Sequence, residues 1–187
     1  MTTRIRTLVR NSARIILAVS PLCGLAMTAP LFAADAGHGH TVPARLVQIV
    51  RDATRQFIDV NAAGPAGYEP FLGCVSGPDH GAMGIHYVNG ALVGDGEIDA
   101  TRPEALIYEP SAGRLRLVGV EFIVDAATWL AGHPSAPVLE GQSFQLVGAP
   151  NRYGIPAPFF ELHVWAWRDN PNGAFVDWNN HVTCEGE

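Results

Sequence analysis

Two histidines stand close together in a short segment that combines a turn with a strand pattern. The segment is GPDHGAMGIHYVN, residues 77 to 89, and it contains His80 and His86. Glycine, proline and aspartate at its start are typical of a turn, and the alternation that follows is typical of a strand. Imidazoles beside glycines, which leave space around them, are groups that a ligand or metal site requires.

Two later segments with strand periodicity each place one ionisable group on a face whose other residues are mostly apolar or aromatic. Alternation puts Glu121 on the same face as Leu117 and Ile123, and it puts His163 on a face that also carries tryptophans. A carboxylate among apolar neighbours costs free energy unless it is paired, protonated or bound to a cation. These faces are therefore predicted to border an internal site and not open solvent.

Two imidazoles and one carboxylate form a donor set for a divalent transition metal such as iron, zinc, copper or manganese. We predict a metal site made by His80, His86, Glu121 and His163, in a metal-dependent oxidoreductase or lyase. The nitrogens of His86 and His163 are expected about 3 to 4 Å apart, and affinity is expected to fall below about pH 6.5. The sequence contains no HExxH or CxxC motif, so it indicates neither the metal nor the reaction.

Two other functions are compatible with the same residues. Tyr87, Trp165 and Trp167 could line a cleft that stacks on a sugar or another small molecule without any metal. A hydrolase with His86 or His163 as general base is the third candidate, although the sequence has no GxSxG segment to supply a nucleophile.

The elements that must position these residues are one helix and a set of short strands. Apolar residues recur at three- and four-residue steps from Val42 to Val60, which predicts an amphipathic helix. No helix of crossover length is indicated between neighbouring strands, so the sheet should be mainly antiparallel. The predicted class is α+β, with the N-terminal helix followed by a mainly antiparallel β sandwich or small barrel. Strands are predicted near residues 82–89, 104–109, 114–124, 142–147 and 160–168, and a brief helix near 125–131.

Cysteine usage predicts a single disulfide in the processed chain. Cys74 and Cys184 remain once the leader described below is removed, and an even pair in an exported protein favours a bridge. The alternative is that Cys74 is a catalytic nucleophile.

The first residues have the order of a secretory signal peptide. Four arginines precede an apolar run from Ile15 to Ala33, and no acidic residue occurs before Asp35. We predict a signal peptide at residues 1–33, a flexible segment at 34–41 and one globular domain at 42–187. The protein is thus expected to be periplasmic or secreted, without membrane attachment after cleavage.

The charge balance excludes several partners. The chain has a formal net charge of −6, all 12 basic residues are arginine, and 18 residues are acidic. Loss of the four leader arginines makes the processed chain still more negative, which argues against nucleic acid and anionic lipid as partners. The absence of lysine excludes Schiff-base chemistry. A small-molecule ligand is compatible with these features, whereas the oligomeric state is not indicated.

Several longer stretches carry a family resemblance. The motifs GPDHGAMGIHYVNG, ELHVWAW and NPNGAFVDWN, with the closing Cys184, resemble a family of uncharacterised exported bacterial proteins. The resemblance covers nearly the whole processed chain. It implies secretion and a single domain, and it implies no activity, cofactor or catalytic residue.

Overall fold

A computed structural model describes residues 44 to 186. The predicted signal peptide at 1–33 and the predicted flexible segment at 34–41 lie outside the described residues. No helix within the described range has both the length and the apolar character needed to span a bilayer.

The described chain begins with helical elements and continues mainly as strands. Three short 3-10 segments between Arg55 and Ala66 follow the first helix. The helices are α1 (Arg45–Thr54), α2 (Gly90–Val93) and α3 (Ala126–Gly132). The strands are β1 (Glu69–Gly77), β2 (Gly81–Val88), β3 (Ala105–Ser111), β4 (Arg114–Asp125), β5 (Val138–Leu139), β6 (Gln142–Ser143), β7 (Gln145–Val147) and β8 (Phe159–Val164).

Helix α1 forms because its apolar residues recur on one face. Leu46, Val47 and Val50 are buried on that face, while the opposite face carries exposed arginines. The helix is shorter than its periodicity predicts, since regular α-helix ends at Thr54 and the chain tightens into 3-10 turns. The Thr54 hydroxyl donates a hydrogen bond to the Val50 carbonyl, 2.6 Å away, at this last turn.

The main sheet has six strands in the order β1-β2-β3-β4-β8-β7, and every neighbouring pair is antiparallel. Strands β1 to β4 form a meander, whereas β8 returns after a long excursion to pair with β4. The sheet curls into a half-barrel, and β5 and β6 form a separate two-stranded hairpin. The predicted α+β class with an antiparallel sheet is confirmed.

Strand β1 was not predicted, because its backbone is irregular. Leu72 has a positive φ of 62°, and the pairing with β2 shifts register between Phe71 and Val75. These departures break the alternation of buried and exposed residues that identifies a strand in a sequence.

The two faces of the sheet have different surroundings. One face packs against α1 to form the larger core, with Leu106, Phe122 and Leu162 at its centre. A bulge in β4 opposite Ile107 and Tyr108 changes which side chains reach this core. Leu117 therefore packs on the α1 side and Val118 on the other, which reverses the sides predicted from simple alternation.

Gly84 allows β2 to approach β3 closely. Its φ is +94°, and a Cβ at this position would lie 2.6 Å from the Tyr108 carbonyl oxygen. Only glycine is compatible with both the backbone conformation and the space. The strand that carries His86 is thereby held against the centre of the sheet.

A disulfide joins β1 to the C-terminal segment, as predicted. Cys74 and Cys184 are bonded, with Cα atoms 5.6 Å apart and a separation of 110 positions in the sequence. The same segment is held by Glu109, which accepts a hydrogen bond from the backbone N–H of Thr183 at 3.1 Å. Since its sulfur is in the bridge, Cys74 is not a catalytic nucleophile in this structure.

Candidate metal centre

The register of the sheet brings Glu121 and His163 together on the face away from α1. Glu121 of β4 is paired directly with His163 of β8, and on its other side with Ala105 of β3. Because Ala105 is small, the carboxylate can reach over β3 toward β2. There His86 Nε2 lies 3.4 Å from Glu121 Oε2.

The three side chains surround a common point. His163 Nδ1 lies 4.0 Å from Glu121 Oε1, and the two imidazole rings are nearly perpendicular with centroids 5.7 Å apart. One ligand atom from each of His86, Glu121 and His163 lies within 4.8 Å of the others. This limit includes the 3 to 4 Å expected between the two imidazole nitrogens. It is well below the roughly 8 Å beyond which one ion could not serve both.

The site is dry and incompletely hydrogen-bonded. His86, Glu121 and His163 are 7%, 5% and 2% exposed. Both ring nitrogens of His163 are buried without a hydrogen-bond partner within the described part of the chain. Buried polar atoms are nearly always paired in native proteins, so such a ring requires an explanation. A neutral imidazole offers a lone pair that a metal ion can accept.

Burial also determines the protonation of both imidazoles. Desolvation lowers the pKa of His163 to about 3. Desolvation, with the neighbouring His163, lowers the pKa of His86 to about 3 as well. Both rings are therefore neutral near pH 7, which is the form that binds metals. The loss of affinity expected near pH 6.5 stays a prediction, since protons also compete with a metal for the Glu121 carboxylate, whose pKa burial raises.

A second carboxyl group, Glu161, belongs to the same cluster and was missed as a site residue. It is 3% exposed, and its carboxylate accepts hydrogen bonds from the Glu121 carboxyl and, at 2.7 Å, from Gln145 Nε2. Burial raises the pKa of both Glu121 and Glu161, and the charge of Glu161 raises that of Glu121 further. The available signal was its position two residues before His163, on the same strand face.

Asp177 approaches the cluster from a loop beyond β8. Its Oδ1 lies 3.7 Å from His163 Nδ1, and Gln145 donates a hydrogen bond to it. Glu161, His163 and Asp177 form a second group whose ligand atoms lie within 4.8 Å of one another. Three carboxyl groups and two neutral imidazoles thus share one small buried region, where protons or a cation must balance the charge.

His80, which the sequence predicts as a fourth ligand, lies elsewhere. It is exposed in the turn before β2, with its ring 6.3 Å from that of Trp178. It borders a polar recess that also includes Gln145 and Asp177. The extended backbone of β2 carries His86 away from this turn, so the two histidines of the segment do not converge.

The three aromatic residues predicted to line a cleft are packed into the protein core instead. Tyr87 packs edge-on against Tyr108, with ring centroids 5.0 Å apart, on the α1 side. Trp165 is buried, and its Nε1 donates to the Val176 carbonyl at 2.6 Å. Trp167 Nε1 donates to Thr54 of α1 at 3.0 Å, because β8 ends at Val164 and the chain then turns. The predicted tryptophan cleft is therefore not formed.

An apolar cavity of about 470 Å³ adjoins the cluster. His86, Glu121, Glu161 and His163 form one part of its wall, and Tyr153 lies nearby with its hydroxyl 3.5 Å from the sulfur of Met83. The rest of the wall is mostly apolar and comprises Phe71, Leu72, Val75, Met83, Val88, Val93, Ile123, Ile155 and Phe159. The ionisable groups are thus placed where they can meet a molecule held in a largely hydrophobic space.

Comparison with known proteins returned no match to a family model, to a curated protein or to a solved structure. Inference about function therefore depends on the chemistry of the site itself.

Proposed function

We propose that this protein binds one divalent transition metal ion through His86, Glu121 and His163 and acts on a small molecule in the adjoining cavity. The observation that carries the proposal is His163, whose two ring nitrogens are buried beside Glu121 and near His86 without a hydrogen-bond partner among residues 44–186. A metal ion would use one of these lone pairs and would also balance the charge of the carboxylate.

The composition of the donor set supports an enzyme more than a structural metal site. Two nitrogens and one oxygen leave coordination positions open, whereas structural zinc sites are closed by four protein ligands. The open positions would face the cavity that the three residues border. A bound ion would supply Lewis acidity or redox chemistry there, which corresponds to a metal-dependent lyase or oxidoreductase.

The neighbouring carboxyl groups have a separate role in this proposal. Glu161 accepts a hydrogen bond from the protonated Glu121 and is itself held by Gln145, and binding of a metal ion by Glu121 would release that proton. Groups of this kind orient a ligating carboxylate and can carry protons to or from a bound substrate. Asp177, beside both His163 and the polar recess, would exchange those protons with solvent.

Metal titration tests the proposal directly. Protein freed of metal by chelation should take up about one Zn²⁺ or Co²⁺ per chain in calorimetry, and Co²⁺ should develop visible absorption from nitrogen and oxygen ligands. His86→Leu and His163→Leu should each weaken binding by at least about tenfold, since even residues that only support ligands contribute 10- to 100-fold.

His80→Leu is the matched control, because His80 is exposed and outside the cluster. It should bind the ion as the unmodified protein does. The proposal fails if neither ion shows saturable binding, or if His80→Leu and His163→Leu reduce binding equally.

We further propose that the protein is exported, in keeping with the family it resembles. The arginine-led apolar leader supports this, and so does the disulfide, because such bridges persist mainly in oxidising compartments. The intact mass of the protein recovered from the periplasm or medium should lack residues 1–33. Recovery of a full-length chain in the membrane fraction would contradict export.

A further inference from the structure

The cavity beside the cluster has walls of two very different kinds. At one end His86, Glu121 and His163 bring their polar atoms to its surface. Elsewhere the wall is built from aliphatic and aromatic side chains, among them Val75 and Phe159. A volume of about 470 Å³ is within the range of small-molecule sites. The wall therefore matches a molecule that is apolar over most of its length and polar at one end.

From this geometry we infer that the substrate class is an uncharged, largely apolar small molecule whose single hydroxyl or carbonyl oxygen points toward Glu121 and the two histidines. The position of that oxygen rests on the proposed metal function, whereas the apolar character of the ligand rests on the cavity wall alone.

Charge at the cavity surface disfavours an anionic ligand. None of the described residues that line it is an arginine, and the chain contains no lysine. The ionisable groups of the wall are instead carboxyls and histidines, including Glu121, Glu161 and Asp125. An ionised carboxylate or phosphate would enter an apolar space without a side-chain cation to pair with it, and the charge of a bound metal ion would already be offset by Glu121 and Glu161, so its entry is unfavourable.

Within the proposed function a cationic ligand is disfavoured because the metal ion would already balance the buried carboxylates. Glu121 and Glu161 together would offset the two positive charges of the ion. An added ammonium group would then lose its hydration in a mostly apolar space and would be repelled by the bound ion.

Exposed apolar side chains at the cavity give independent support. Phe71 and Leu72 of β1 line it and are 40% and 48% exposed. Adjacent exposed apolar residues are typical of binding surfaces. An apolar molecule in the cavity would cover both side chains and would thereby explain why they are exposed in the free protein.

Matched probes on one skeleton test the inference in the unmodified protein. 4-Phenylphenol, biphenyl-4-carboxylate and the ammonium form of 4-phenylbenzylamine differ mainly in the charge of the polar group. Calorimetric titration at pH 7 with zinc present should show 4-phenylphenol binding at least tenfold more tightly than either charged analogue. Equal or tighter binding of a charged analogue would overturn the inference.

A pair of tryptophan substitutions locates the bound probe. Val93 of α2 lines the cavity, whereas Val138 of the β5–β6 hairpin is 62% exposed and does not line it. Val93→Trp should weaken 4-phenylphenol binding at least tenfold, and Val138→Trp should leave it unchanged. Full affinity in Val93→Trp would place the probe elsewhere and overturn the inference. The comparison of probes in the unmodified protein remains decisive if Val93→Trp does not fold.

The same titrations separate the two proposals. Selective binding of 4-phenylphenol by a protein that takes up no Zn²⁺ or Co²⁺ supports the apolar site and contradicts the metal function. Uptake of the ion without any binding of 4-phenylphenol retains the metal function and overturns the inference drawn here.

Discussion

Replacing His163 with leucine should make the metal-free protein more stable while it removes metal binding. Each buried polar atom without a hydrogen bond costs about 1 to 3 kcal/mol, and neither ring nitrogen of His163 has such a bond in the part of the chain that the structure describes. Leucine has a similar volume and introduces no polar atom. Its different shape beside Trp165, whose ring is 6.2 Å from the imidazole, should cost less than about 1.5 kcal/mol. The expected gain in unfolding free energy is about 0.5 to 6 kcal/mol.

Metal should reduce or reverse this difference. A ligand that binds only the folded state at 100 times its Kd adds about 2.7 kcal/mol to the unfolding free energy. The unmodified protein should gain this amount with zinc, and His163→Leu should gain almost nothing. Urea unfolding with the disulfide intact, first with a chelator and then with zinc, measures all four values.

His80→Leu provides the control, since an exposed histidine away from the cluster should change stability by no more than about 0.5 kcal/mol. Its response to zinc should equal that of the unmodified protein. The reasoning is refuted if metal-free His163→Leu is less stable than the unmodified protein. That result would mean that the imidazole is a satisfied part of the core, and the main support for a metal site would be lost.

Two further predictions concern stability. Cys184→Ala opens a loop of 110 residues, so the unfolding free energy should fall by about 4 to 5 kcal/mol. The unmodified native protein should show no free thiol before reduction, and a reactive thiol in it would contradict the bridge. Burial raises the pKa of Glu104 to about 8, while its carboxylate accepts the Ile123 N–H at 2.9 Å. The folded state then holds a proton that the unfolded state releases above about pH 4.5, so this group lowers stability as pH rises from about 4.5 to 8. Glu104→Gln keeps an acceptor for Ile123, and denaturant titrations should find it more stable than the unmodified protein by a few kcal/mol at pH 8.5 and little changed at pH 4.5; an equal difference at both pH values would refute the assignment.

Local patterns were sufficient for several features of this protein. The alternation correctly placed Glu121 with Ile123 in β4 and His163 with Glu161 in β8, because side chains of a strand alternate with a period of two. The lack of crossover-length helices predicted antiparallel pairing, and the two cysteines outside the predicted leader predicted the bridge. The apolar stripe of α1 predicted an amphipathic helix with one buried face.

Other features depend on backbone irregularities that residue patterns do not reveal. The bulge in β4 exchanged the sides of Leu117 and Val118, and the turn after β8 carried Trp167 across to α1. One added residue in a strand reverses the faces of the side chains that follow it. The turn after Val164 removed Trp167 from the predicted cleft, whereas His163 precedes this turn and stayed on its predicted face.

Only the tertiary structure decided which residues meet at the site. The sequence by itself placed His86, Glu121 and His163 on separate strands. The strand order of the folded sheet puts β8 beside β4, and its register places the small Ala105 beside Glu121 on the side toward His86. It also added Glu161 and Asp177 and excluded His80. Strand order and register arise from packing of the whole core between residues distant in sequence, and periodicity within one segment carries no information about them.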